Sequence, residues 1–267
     1  MTYQANHTAP PGRLGATSRL RGAALLQLWA HRGQWRMPLP RALMQRERDT
    51  LLAELMPAVM FISLMAGTLL FVTLASALQG SYLAALATLW PVWVIQAAPL
   101  AAAQLLAMRR SPTLALELSH RHARGEFEAL AHLQASAAAY PCVPVLVAHA
   151  WVAAAASFLI IALTLLAGFA GAFVFAVGDL RQTADAVFSL VSPLGWLRSF
   201  FTALVLGLAC SLAATLYAWP GTQTGTAAGV DAHRLGLRAM LLSSVAVIAA
   251  ALALNWLMDL FGFLAWW

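Results

Sequence analysis

Met108–Tyr140 reads MRRSPTLALELSHRHARGEFEALAHLQASAAAY and is the only long polar stretch between two strongly apolar regions of the chain. It carries Arg109, Arg110, Arg121 and Arg124, the acids Glu117, Glu126 and Glu128, and the histidines His120, His122 and His132. Ala123, Phe127 and Leu130 fall at i, i+4 and i+7 with Arg124, Glu126 and Glu128 between them, which is helical and not strand spacing. The pattern predicts a short amphipathic helix lying at a membrane face.

Hydrophobic residues make up 61% of the 267 and charged residues only 10%, with a mean hydropathy of +0.75. That balance suits a bilayer and not a water-facing surface, so the fold class read here is all-α and polytopic. All 16 basic residues are arginines, and they cluster just outside the apolar runs. Such placement follows membrane orientation, so no nucleic-acid partner is expected. Cys142 and Cys210 stand in apolar surroundings without CxxC or Cys/His spacing, which argues against a disulfide framework or a zinc site. The first nineteen residues lack the apolar core of a signal peptide, so no cleavage is expected.

Residues 1–54 read as a basic tail, and 55–267 as the membrane domain. Within the tail, Leu20–Trp35 interleaves Leu20, Ala24, Leu28 and Trp29 with Arg19, Arg21 and Arg32, the pattern of an interfacial helix. A solvated basic tail is the alternative. Arg36–Glu54 is polar, and Pro38 and Pro40 are expected to break any continuous helix there. Spans are predicted at about Leu55–Leu78, Leu83–Ala107 (interrupted by Pro91 and Pro99), Phe200–Trp219 and Met240–Leu260, with Trp266-Trp267 as an aromatic anchor.

Val143–Val177 is apolar throughout and would be about 52 Å long as a helix. Eight arginines precede Leu55, four lie in Met108–Tyr140 and two in Tyr217–Arg238, leaving Arg181 and Arg198 on the other side. The count is the same for one crossing or two in Val143–Val177, so charge bias does not choose between five spans and six. Length favours one tilted or bent helix, since two halves would have only about 17 residues each. Gly168 and Gly171 would mark a bend or a close helix contact. Asp179–Arg198, with a turn at Ser192-Pro193, is the second polar connection.

The chemistry available is sparse. His120-x-His122 with Glu126 and His132 offers zinc-type ligands, but residues i and i+2 of a helix point to different faces. The spans hold His149 and Asn255 but no paired carboxylates and no Ser/His/Asp arrangement. His149 reads as a hydrogen-bonded bundle residue. There is no GxxxxGK[ST] motif, so ATP hydrolysis of that kind would belong to another subunit.

Arg109, Glu117, Glu126-Phe127-Glu128-Ala129-Leu130, Tyr140 and Pro144 match, without gaps, a pattern close to G-R-x-G-S-A-x-x-A-E-[LI]-G followed by E-[IQ]-[DS]-A-[LM], Y and P. Here the chain resembles the MlaE-type permeases of lipid-transporting ABC systems that work with MCE-domain proteins. Leu78-Gln79-Gly80 followed by Tyr82 is also similar, and Ala228-Gly229-Val230 with Ser243-Ser244 matches a later motif that here lacks its Thr-Thr pair. Met108, Ser111 and Ser119 replace glycines of the family pattern. Ile95-Gln96-Ala97-Ala98-Pro99 stands where the family often carries Arg-Glu before L-G-P.

The resemblance implies an amino-terminal interfacial helix, five spans, and a cytoplasmic coupling helix seated in a groove of an ABC ATPase. Glu117, Arg121, Arg124, Glu126 and Glu128 would serve that docking, with Phe127 and Leu130 packing against the ATPase or the bundle. Arg109 and Glu117 would form a pair, or Arg109 would be an inner-leaflet anchor. A second permease copy, a periplasmic MCE-domain protein and phospholipid complete the implied partners, with ATP and Mg held by the ATPase and no cofactor in this chain. The implied location is a bacterial inner membrane with the amino terminus in the cytoplasm. The departures suggest a divergent member, and a scaffold subunit without transport is the alternative.

Overall fold

A computed structural model describes residues 38–73, 76–77, 82–132, 139–174, 180–218 and 230–260, and no strand occurs among them. The interfacial helix expected at Leu20–Trp35, the Leu78-Gln79-Gly80 turn and Trp266-Trp267 lie outside the described residues.

Helix α1, Pro38–Gly67, continues as π-helical turns over Thr68–Thr73. The expected break at Pro40 does not occur: from Pro38 the described chain is helical, and the fixed φ of proline suits that backbone. The helix therefore passes uninterrupted through Glu54 and Leu55.

The second span is one rod with a change of winding. Helix α2 (Tyr82–Val92) leads into π turns at Trp93–Ala97 and then into α3 (Ala98–Arg109). Pro91 and Pro99 bracket the wide turns and interrupt nothing. In π winding the residue five back accepts each N–H, as Ala98 N–H to Trp93 O shows. Pro99 has no N–H to give, so Val94 O would be left unpaired in an apolar interior. Ser199 Oγ donates to it at 2.7 Å instead.

Two short helices follow, α4 (Ser111–Ala123) and α5 (Glu126–His132). Helix α6, Ala139–Val174, is a single element of 36 residues, about 54 Å long. It resolves the choice that charge counting leaves open for this run: it is one helix, and among the described residues five helices are long and apolar enough to span a membrane. Helix α7 (Leu180–Ser189) precedes α8 (Pro193–Ala218), and α9 (Val230–Leu260) is the last span.

Helix α1 packs along α6, and α8 packs on both α6 and α9. Close approach of small residues makes these contacts. A Cβ on Gly67 would sit 2.6 Å from Thr164 O, and one on Gly207 2.7 Å from His149 O. Gly168 and Gly171 mark close contact, facing Phe71 and Val72 of the π turns. Lipid chains are as apolar as the helices, so such backbone-level contact is what drives association. Phe71 meets Trp90 edge to face at 6.0 Å in the buried centre. Met60, Phe61, Leu64 and Leu69 point outward, as the lipid side of a span requires.

Candidate functional site at the polar face of the bundle

Helix α3 ends at Arg109, and α4 starts at Ser111 with Pro112 in its first turn. Arg110 forms the corner: its N–H donates to Leu106 O at 2.8 Å, and its C=O accepts Leu114 N–H at 2.9 Å. Helix α4 ends at Ala123, and the turn beyond it passes through Gly125, whose φ of +71° is left-handed. This corrects the expected single helix through Ala123, Phe127 and Leu130. Ala123 is exposed at the end of α4, while Phe127 and Leu130 belong to α5.

Phe127 is 7% exposed and clusters with Leu114, Leu118, Ala214, Leu235 and Ala239, against which Leu130 also packs. This cluster anchors the polar segment to the ends of α8 and α9.

The charged residues divide into an outer and an inner set. Arg124 Nε and Glu126 Oε1 are 3.5 Å apart in the open, an arrangement of little energetic weight. Glu117 accepts from Arg121 Nη2 at 2.8 Å through Oε1 and lies 3.5 Å from Arg110 Nη2 through Oε2. Arg110 donates through Nη2 and Nε to Glu47 Oε1 of α1, at 2.7 and 3.0 Å. Its side chain is 13% exposed and that of Glu47 19%. The expected Arg109–Glu117 pair does not form: Arg109 is exposed and makes no ion pair among the described residues. One residue step turns a helix by about 100°, which carries Arg110 inward and Arg109 outward. Sequence reading missed Glu47 because its partner is 63 residues away.

Arg46, Glu47, Thr50, Arg110, Glu117 and Arg121, with Leu114, Pro144 and Val145, line a cavity of about 270 Å³ where α1, α4 and α6 meet. At the opposite end, Ile95, Val191, Leu194, Leu197, Phe201 and Met258 line an apolar cavity of about 440 Å³. Arg198 stands in its wall without an ion pair among the described residues, and Ser192 Oγ there accepts Gly195 N–H at 3.1 Å. Sequence reading used Arg198 only as a charge on the far side of the membrane and did not foresee the cavity.

Among the described residues, no three His, Cys, Asp or Glu side chains converge to hold a metal ion. His149 is buried with Nδ1 2.8 Å from Val145 O, within its own helix. Cys142 and Cys210 are buried and unpaired. Among the described residues, a charged segment stands at one end of the bundle and an apolar recess at the other.

No curated protein matches the chain. The family described as Permease MlaE matches residues 45–257, from within α1 to near the end of α9. The chain therefore belongs to the MlaE permease family.

Proposed function

We propose that this chain is the permease of an ABC-type transporter that moves phospholipid between a bacterial inner membrane and a periplasmic MCE-protein pathway. The carrying observation is the polar segment between the second and third spans. Its apolar side is buried against α8 and α9, while Arg124 and Glu126 face outward. A cytoplasmic ATPase, holding ATP and Mg, grips that outward side through Glu126 and Glu128. Closure of two such ATPases moves the docked segment, and the spans follow as levers. A second permease copy covers α9, whose apolar window is only 17% enclosed against 50% for α6. The amino terminus lies on the ATPase side, consistent with the arginine distribution.

The apolar recess supports a lipid cargo. Acyl chains need hydrophobic lining, and a volume near 440 Å³ lies within the range of small-molecule sites. Extraction of the tagged chain in mild detergent, with mass spectrometry of co-purifying proteins and lipids, tests the reading. An ATPase together with bound phospholipid is the expected result; the chain alone in every detergent would overturn it.

A scaffold subunit that keeps the fold without transporting is the second reading. Ile95-Gln96 favours it, standing where the family often carries an Arg-Glu pair. An assembled complex that hydrolyses ATP in phospholipid vesicles and moves no lipid would select it.

A further inference from the structure

Helix α1 packs on α6, whereas α4 packs on the polar ends of α8 and α9. The two helices thus rest on different neighbours within one core, and a cavity of about 270 Å³ lies between them. Among the described residues, the side-chain link across this gap is Arg110. Nε and Nη2 both donate to Glu47 Oε1, at 3.0 and 2.7 Å, from largely buried positions. Two charge-assisted bonds from one planar group fix its orientation as a single ammonium would not. Beyond Arg110 the charges continue to alternate, with Glu117 at 3.5 Å and Arg121 at 2.8 Å from Glu117.

We propose that Arg110 is a positioning residue that ties the coupling segment to the first span, so that displacement of α4 is delivered to α1 through the Glu47 carboxylate. The inference rests on the permease reading above and adds the route of the motion. A push on α4 reaches α8 and α9 through packed side chains. It reaches α1 by packing only through intermediaries, α3 or α8 and α6, whereas the ion pair is a direct link, because α1 and α4 barely pack on each other. With the pair removed, the segment still docks on its ATPase, and α1 follows it less tightly, through the packed helices alone.

The test uses the full chain with its co-purified ATPase in vesicles of phosphatidylethanolamine and phosphatidylglycerol carrying a fluorescent phospholipid. The readout is phospholipid moved per ATP hydrolysed. Glu47→Gln and Arg110→Gln should assemble and hydrolyse ATP as the unmodified complex does, while the ratio falls about five-fold or more. The reversed pair E47R/R110E should recover most of that loss relative to either reversal alone. An unchanged ratio in Glu47→Gln, or a reversed pair no better than its single variants, overturns the proposal. Should the Arg110 variants fail to assemble, the near-isosteric Glu47→Gln decides alone. An unmodified complex that moves no phospholipid removes the permease reading and this inference with it. One that does, matched by Glu47→Gln, removes the inference only.

Discussion

Within the apolar region α1 meets α6 almost backbone to backbone, at Gly67, whereas at the polar end the Glu47–Arg110 ion pair reaches it across a cavity. The first contact has one geometry, because a Cβ on Gly67 has no room beside Thr164 O and Gly168 N. The second joins two side chains that keep rotatable bonds, and it can shift without unpacking a core. The difference assigns roles: small-residue packing makes α1 and α6 a rigid unit, and charge connects that unit to the part a partner would move.

Substitutions that overfill the rigid contact should have the largest effect. Gly67→Leu forces α1 from α6 against backbone atoms that cannot yield, and should cost about 3 kcal/mol or more. Thermal unfolding in detergent would show it, and unchanged melting would break the packing half of the comparison. Phe127→Ala comes next, leaving a cavity in the cluster that holds α5 beside α4 and costing about 3 kcal/mol at most, given the room α5 has to settle. Hydrogen exchange should rise in α5 and the end of α4 while the spans stay protected. Arg124→Ala removes only the exposed pair with Glu126 and should change stability by less than about 0.5 kcal/mol. A larger loss there would mean that the outer charges also hold the segment in place.

The five spans were legible in the sequence because each is an apolar run long enough to cross hydrocarbon, and their hydrogen bonds close internally. Their ends were not. Helix α1 begins at Pro38 and not near Leu55, α8 at Pro193 and not near Phe200, and α9 at Val230 and not near Met240. Hydropathy reports where lipid begins, whereas helices continue into water for as long as their residues tolerate it. In the polar segment the helical period was readable, and the Gly125 break was hidden inside it because apolar spacing carries no information about φ. Arg109 and Arg110 are indistinguishable as a doublet. Only the direction of α3 makes one an exposed residue and the other the partner of Glu47.

The central claim is that the outward side of the polar segment is where an ATPase takes hold. The most direct measurement compares the unmodified tagged chain with its Glu126→Ala, Glu128→Ala double variant, purified in the same mild detergent and assayed for bound ATPase and for phospholipid movement. The account predicts that the variant stays folded, since Glu126 faces outward, and loses both the ATPase and lipid movement. A folded variant that retains its ATPase and moves phospholipid as before would contradict the account.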